Sequence, residues 1–392
     1  MQLRYGVDQF ASHPGSWSRF RFAMVTNEAA TTASYIPSRR SLLDQGFRIV
    51  KLFAPEHGLD AIGEDGHFMA GSIDALTQLP VVSLYGDKFA PDEEDLHDID
   101  AVLFDLPDVG SRCYTYLWTL SHVMEACEHW NTPLIVLDRP NPVSGMMALA
   151  EGPMLDEKHC SSFIGRWSIP LRHSCTYGEL ASFWRAVRTP RLELEVVPVN
   201  GWRRSMFYPA QARSFVPTSP AIANFEACLL YSGLCLLEAT NLSEGRGTPL
   251  SFRVAGAPWL DSIATAAALN RSGISGAVAR NTTFASEAGK YRGERCNGVM
   301  IHVKDVTAFR PVCTALRVIW QIRRMHPDHF AWARYPTHAN PTGDAHLDKL
   351  LGILDAEHLF DKQQSDFEQS LESLLDVRGW RETVRPHLLY ED

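Results

Sequence analysis

Ala101-Val102-Leu103-Phe104-Asp105-Leu106-Pro107-Asp108 and Leu134-Ile135-Val136-Leu137-Asp138-Arg139-Pro140-Asn141-Pro142 are two apolar runs that each break into charged residues and proline. Between them, Tyr116 to Trp130 reads as one helix. A buried strand, a helix and a second buried strand make a parallel crossover. The pattern recurs upstream. Phe22-Ala23-Met24-Val25-Thr26-Asn27 is a strand, Arg39 to Gly46 a helix closed by its glycine, and Phe47 to Phe53 the next strand. Val81-Val82-Ser83-Leu84-Tyr85 adds one more. Near-continuous apolar strands separated by helices predict a parallel sheet covered on both faces. The expected fold is therefore α/β, a Rossmann-like doubly wound N-terminal domain.

These strands end in polar clusters: Thr26-Asn27, Pro55-Glu56-His57-Gly58, Asp105 to Arg112, and Asp138-Arg139-Pro140-Asn141. Ligands of open α/β sheets bind outside the carboxyl ends of the strands. Four clusters distant in sequence are thus expected to converge on one crevice.

The pattern changes after Gly145. Thr176 and Glu179 form a capping box that starts a helix. Leu192 to Val199 alternates like a strand. Trp202 to Pro220 is rich in Pro, Ser and Arg and is read as the boundary between units 1–205 and 206–392. In the second unit, Phe225 to Leu237 reads as helix then strand, Val299 to Val303 as strand and Val312 to Met325 as an amphipathic helix. Tyr335 to Gly343 reads as a loop and Phe367 to Leu375 as a late helix. This half is expected to be a smaller α+β domain.

The 392 residues are 45% hydrophobic and 21% charged, which excludes disorder as the main state. A net charge of −9 argues against nucleic acid as a partner. The eight cysteines are dispersed without a C-x-x-C pair, so they read as reduced thiols in a reducing compartment. The N-terminus shows no signal pattern, and no apolar stretch is long enough to span a bilayer. The expected location is cytoplasmic as the sequence stands, or periplasmic or secreted if a signal was removed.

Several motifs carry chemistry. Pro55 stops a strand and Gly58 permits a turn, so Glu56 and His57 are displayed between them. A carboxyl beside Phe53 and Pro55 can be raised in pKa and act as a general acid, or it can cap the next helix. Asp105 and Asp108 can hold a metal, orient Arg112, or form an internal salt bridge. Tyr114 and Tyr116 present ring hydroxyls. The stiff Asp138-Arg139-Pro140-Asn141-Pro142 turn suits substrate positioning. Glu238 to Thr248 is densely polar, with two glycines around Arg246. No G-x-G-x-x-G, G-x-x-x-x-G-K-[ST] or G-x-S-x-G is present, which argues against a dinucleotide or nucleotide cofactor. His326-Pro327-Asp328-His329 and Glu128-His129 have only loose ligand spacing. No cofactor and no metal are expected.

Gly6-Val7-Asp8, Val25-Thr26-Asn27, Pro55-Glu56-His57-Gly58, Ser83-Leu84-Tyr85-Gly86 and Asp105 through Tyr116 form an ordered set. It continues with Leu137 to Pro142, Glu151-Gly152-Pro153, Thr240 through Thr248 and Tyr335 through Gly343. Together they resemble the NamZ-type exo-β-N-acetylmuramidases, a glycoside hydrolase family formerly known as a domain of unknown function. The resemblance implies a Rossmann-like domain joined to a smaller α+β domain, with the site in the cleft between them. It implies removal of N-acetylmuramic acid from the non-reducing ends of peptidoglycan fragments, in cell-wall turnover. It places the family's prominent glutamate on Glu56.

The resulting expectation is that Glu56 protonates the leaving oxygen and His57 supports it or binds substrate. Asp108, Asp105 and Glu238 are candidates for the second carboxylate, and the substrate's acetamido group is an alternative nucleophile. Asn27, Asp105, Arg112, Tyr114, Tyr116, Asp138, Arg139, Asn141, Asn241, Ser243, Arg246 and Thr248 are expected to line the pocket. Arg112, Arg139 or Arg246 is expected to clamp the lactyl carboxylate that distinguishes N-acetylmuramic acid from N-acetylglucosamine. The expected partners are peptidoglycan-derived saccharides or muropeptides. The competing reading is a non-catalytic muropeptide-binding protein.

Overall fold

The computed structural model describes residues 3–392. Its first unit is built on a seven-stranded sheet. The strands are β1 (Arg21–Val25), β2 (Arg48–Ala54), β3 (Ser72–Ile73), β4 (Pro80–Ser83), β5 (Ala101–Phe104), β6 (Leu134–Leu137) and β7 (Leu194–Val197). Their spatial order is β3-β4-β2-β1-β5-β6-β7. Every pairing is parallel except that of the short edge strand β3 with β4. The α/β expectation holds, and β3 is an addition to it.

Side chains alternate across this sheet as the two-residue period requires. Ala23, Val25, Phe53, Val102, Phe104, Leu134 and Val136 face one core, with helices Tyr116–His129 and Tyr177–Val187 packed on them. Phe22, Met24, Leu52, Leu103, Ile135 and Leu137 face the other, under helices Gly6–Ala11 and Ser38–Asp44. The capping box of Thr176 with Glu179 starts its helix as read from sequence. Glu179 is also ion-paired, fully buried, with Arg204.

The second unit contains β8 (Val254–Ala257), β9 (Ala277–Ala285) and β10 (Arg295–Val303), an antiparallel sheet in the order β8-β10-β9. Helix Pro311–Met325 buries Val312, Ala315, Leu316, Ile319 and Ile322 at helical spacing. One expectation fails here. The segment after helix Phe225–Leu234 is a 3-10 turn, Cys235–Ala239, and not a strand. Cys235, Leu236 and Leu237 are all fully buried, a pattern that periodicity cannot separate from a strand.

The C-terminal tail returns to the first unit. Tyr390 donates its hydroxyl to Asp138, and Trp380 Nε1 donates to the His173 carbonyl at 2.9 Å. All eight cysteines are free thiols. Among the described residues no helix is long and apolar enough to cross a membrane.

Candidate active site

A cleft opens between the two units. The first unit contributes Glu56, His57, Asp65, Tyr85, Tyr114 and Thr115. The second contributes Tyr231, Glu238, Arg246, Phe252, Tyr335, His346 and Lys349.

Glu56 and His57 are presented just past the end of β2. Pro55 cannot continue the ladder, and His57 takes a left-handed backbone angle of φ +69°. That conformation is costly for a residue with a Cβ, and such strain concentrates at functional sites. His57 Nδ1 lies 2.8 Å from the Gly63 carbonyl. A carbonyl only accepts, so Nδ1 carries a proton and donates it, which leaves Nε2 as the nitrogen not engaged by Gly63.

Glu56 is 4% exposed. One oxygen accepts from Gly66 N–H at 2.7 Å and the other from the Thr115 hydroxyl at 2.6 Å. Gly66 has φ +72°, which glycine adopts freely and which aims its N–H back at Glu56. Burial pushes the Glu56 carboxyl above its ordinary range. His57 and the two hydrogen bonds act the other way, and neighbouring Asp65 adds to the rise.

Asp65 follows on the same loop. It accepts from the Tyr335 hydroxyl at 2.7 Å and lies 3.2 Å from Arg246 Nη2. Burial would raise its carboxyl, but Arg246, then His57 and Tyr335, outweigh this and hold it below its ordinary value. Arg246 lies at the centre of this network. It also meets Glu238 at 2.7 Å and Glu244 at 3.3 Å, and its guanidinium stacks 4.8 Å over the Phe252 ring. Tyr335 in turn stacks on His346 at 4.7 Å, and His346 Nε2 lies 3.5 Å from Glu238.

Glu56, His57 and Asp65 bring one potential metal-donor atom each within 4.8 Å of one another. Glu56 already accepts from an N–H and an O–H, and Asp65 from Tyr335 beside Arg246. That is an arrangement for holding and withholding protons. Aromatic rings line the walls. Tyr85 meets Phe163 at 5.0 Å, and Tyr231 meets Phe252 edge-on at 4.7 Å. Such faces suit the apolar side of a sugar ring.

Of the residues expected from sequence, Glu56, His57, Tyr114, Glu238 and Arg246 line this cleft. The others do not, and each has a structural occupation. Arg112 is fully buried and donates to the carbonyls of Pro153, Ile169, Leu350 and Leu351, tying the units together. Arg139 forks onto Asp105 and bonds the Thr31 carbonyl and Ser38. Asp138 accepts from Thr176, Gly178 and Tyr390. Asn141 bridges the Cys175 carbonyl and Val143 N–H. Asn27 donates to the Tyr116 hydroxyl, which donates to the Thr218 carbonyl. Asn241 bonds His329 and Ala331. Ser243 and Thr248 shape the turn around Gly245.

Asp108 lies away from the cleft, in a smaller hollow at the ends of β1, β5 and β6. One of its oxygens is buried without a partner, 3.5 Å from His173 Nε2. Burial pushes the Asp108 carboxyl up to about 7 and the His173 imidazole down to about 3. The strand-end clusters therefore do not all converge. Those after β1, β5 and β6 largely bond one another, and the β2 cluster faces the cleft.

Asp65, Tyr335, His346 and Lys349 were not expected from sequence. Tyr335 lies in a segment that carried the family resemblance. Asp65 lies in the polar turn Gly63-Glu64-Asp65-Gly66, shortly after Glu56, and had no other mark.

A raised carboxylic acid beside an ionised carboxylate, in a ring-walled cleft, is the equipment of a glycoside-cleaving enzyme. Residues 22–226 match the family model described as "Exo-beta-N-acetylmuramidase NamZ, N-terminal", and residues 229–390 match its C-terminal counterpart. The chain belongs to the NamZ family. It is 37% identical over 311 residues to the "Peptidoglycan beta-N-acetylmuramidase NamZ" of Bacillus subtilis strain 168, covering 79% of this chain and 74% of that protein. A crystal structure of a DUF1343 family protein from Bacteroides fragilis NCTC 9343 superposes with a TM-score of 0.87. That match has 26% identity over 100% of this chain and 99% of the other. A second DUF1343 protein from the same organism shares the fold, with a TM-score of 0.75 and 24% identity over the full length of both chains.

Proposed function

We propose that this cleft is the active site of an exo-acting β-N-acetylmuramidase, which releases N-acetylmuramic acid from the non-reducing end of peptidoglycan fragments. Family membership and the Bacillus subtilis relative make the chain a glycosidase of peptidoglycan. The observation that carries the assignment to these residues is the buried Glu56 carboxyl, facing the cleft beside Asp65.

In this reading Glu56 is the general acid. Its proton passes to the glycosidic oxygen as the bond from that oxygen to the anomeric carbon breaks. The bonding electrons leave with the oxygen, and positive charge spreads over the anomeric carbon and the ring oxygen. Asp65, held ionised by Arg246 and Tyr335, opposes that charge. Water then supplies hydroxide to the anomeric carbon and a proton back to Glu56. His57, with Nδ1 held by Gly63, offers Nε2 to the substrate beside Glu56. Tyr335 and Arg246 act through Asp65.

A chromogenic N-acetylmuramide tests the proposal. Catalytic release of the chromophore by purified protein is expected. A protein that binds the sugar without turning it over would overturn the enzymatic reading.

A further inference from the structure

N-acetylmuramic acid differs from N-acetylglucosamine by a lactyl ether that ends in a carboxylate. A protein of net charge −9 does not attract that anion at long range, so recognition needs a local cation. Arg112 is enclosed by carbonyls and Arg139 is committed to Asp105. Arg246 lines the cleft, but its charge is already countered by three carboxylates, Asp65, Glu238 and Glu244. Lys290 is held by Glu244 and three backbone carbonyls. His346 spends its Nε2 near Glu238, and the Nδ1 proton of His57 is given to Gly63.

Lys349 is different. It stands on helix His346–Leu351 and lines the same cleft. Its ammonium has three protons, and the one bond it makes is to the Asp344 backbone carbonyl, at 2.9 Å. Nearby carboxylates are engaged elsewhere. Asp344 pairs with Arg334 at 2.9 Å, and Asp348 accepts the N–H groups of Asp355 and Ala356. No carboxylate of the described residues lies within salt-bridge distance of Lys349, which leaves two donors for an incoming anion.

We infer that Lys349 is the specificity-determining residue that binds the lactyl carboxylate of the substrate. The inference rests on the muramidase reading above. It replaces the arginine clamp expected from sequence with a single ammonium.

The test crosses two variants with two probes. Lys349→Met and Lys349→Arg are compared with the parent on an aryl N-acetylmuramide and on its lactyl methyl ester, which has the shape but no charge. Losing a bond to a charged group is expected to lower kcat/KM of Lys349→Met by about 10- to 100-fold on the acid. The ester is expected to be cleaved equally by parent and Lys349→Met, and Lys349→Arg should retain most of the discrimination. Equal losses on acid and ester, or no loss on the acid, would overturn the inference. If the parent cleaves neither probe, the muramidase reading fails by itself. Calorimetric binding of free N-acetylmuramic acid and N-acetylglucosamine to parent and Lys349→Met then decides the role of Lys349 independently. The muramic acid preference is lost in the variant if the inference holds and kept if it does not.

Discussion

Glu56 and Asp65 bring their carboxyl groups within 4.8 Å of each other, yet their surroundings drive them toward opposite protonation states. Glu56 is buried and accepts only from neutral donors, whereas Asp65 meets Arg246 and the Tyr335 hydroxyl. Each sharpens the other, because an ionised Asp65 makes a second negative charge at Glu56 costly.

This relationship fixes the expected pH dependence. In the proposed mechanism Glu56 acts protonated and Asp65 ionised, so kcat/KM should be bell-shaped. The alkaline limb reflects Glu56, whose raised pKa keeps the acid protonated to higher pH. The acidic limb reflects Asp65, whose lowered pKa keeps it ionised to lower pH. In Asp65→Asn the neighbouring charge is gone, so the alkaline limb should move to lower pH and the acidic limb should disappear. A pH–rate profile of the variant whose alkaline limb stays where it was would remove Asp65 from this role.

Asp108 gives a stability prediction of opposite character. Its carboxyl is pushed up to about 7 in the folded protein, against about 3.9 for an unperturbed Asp. The folded state therefore holds more protons than the unfolded state between those values. Stability from this group is fully present below about pH 4 and is lost as pH rises through about 7. His173 Nδ1 accepts from the Cys175 N–H, so Nε2 carries the hydrogen facing Asp108, and Asp108→Asn keeps an oxygen that can accept it without the buried charge. It should melt at higher temperature than the parent at pH 8, with the difference closing near pH 4. Thermal melts at both values check this, and turnover in the cleft should be preserved.

Arg246, partly buried, and Arg112, fully buried, should behave as supports. Arg246→Met leaves Asp65, Glu238 and Glu244 clustered without their counter-charge. Breaking a fully buried ion pair costs about 3–5 kcal/mol, and this partly exposed network should cost less. A lower Tm and loss of turnover on acid and methyl-ester muramides alike are expected. Arg112→Lys should lower Tm through its lost carbonyl bonds and likewise spare the discrimination between the two substrates. A selective loss on the acid in either variant would return the carboxylate clamp to arginine.

Much of the first unit was legible because its strands are short, apolar and separated by helices of ordinary length. Val25, Phe104 and Val136 point into one core, and Met24, Leu103 and Ile135 into the other. The strand-end rule found Glu56 and His57 for the same reason. It overreached for Asp105, Arg139 and Asp138, because identical residue types at strand ends serve equally well to bond neighbouring loops. Sequence cannot show that Arg139 faces Asp105 and not solvent. The cleft's other wall was harder to read. Asp65, Tyr335, His346 and Lys349 come from loops and a short helix whose spacing carries no period, and only the packing of the two units brings them to Glu56. The end of the Phe225 to Leu237 run was misread as strand because full burial erases the alternation that distinguishes strand from helix.

Glu56→Gln tests the central claim most directly. The substitution keeps the shape of the side chain and removes its transferable proton. Turnover should be measured on an unactivated disaccharide ending in N-acetylmuramic acid and on an aryl muramide whose phenolate leaves without protonation. A general acid contributes about 10²–10⁴-fold, so the disaccharide rate should fall by that factor while the activated substrate loses far less. Near-parental turnover on the disaccharide, or equal losses on both substrates, would contradict the assignment of Glu56 as the acid.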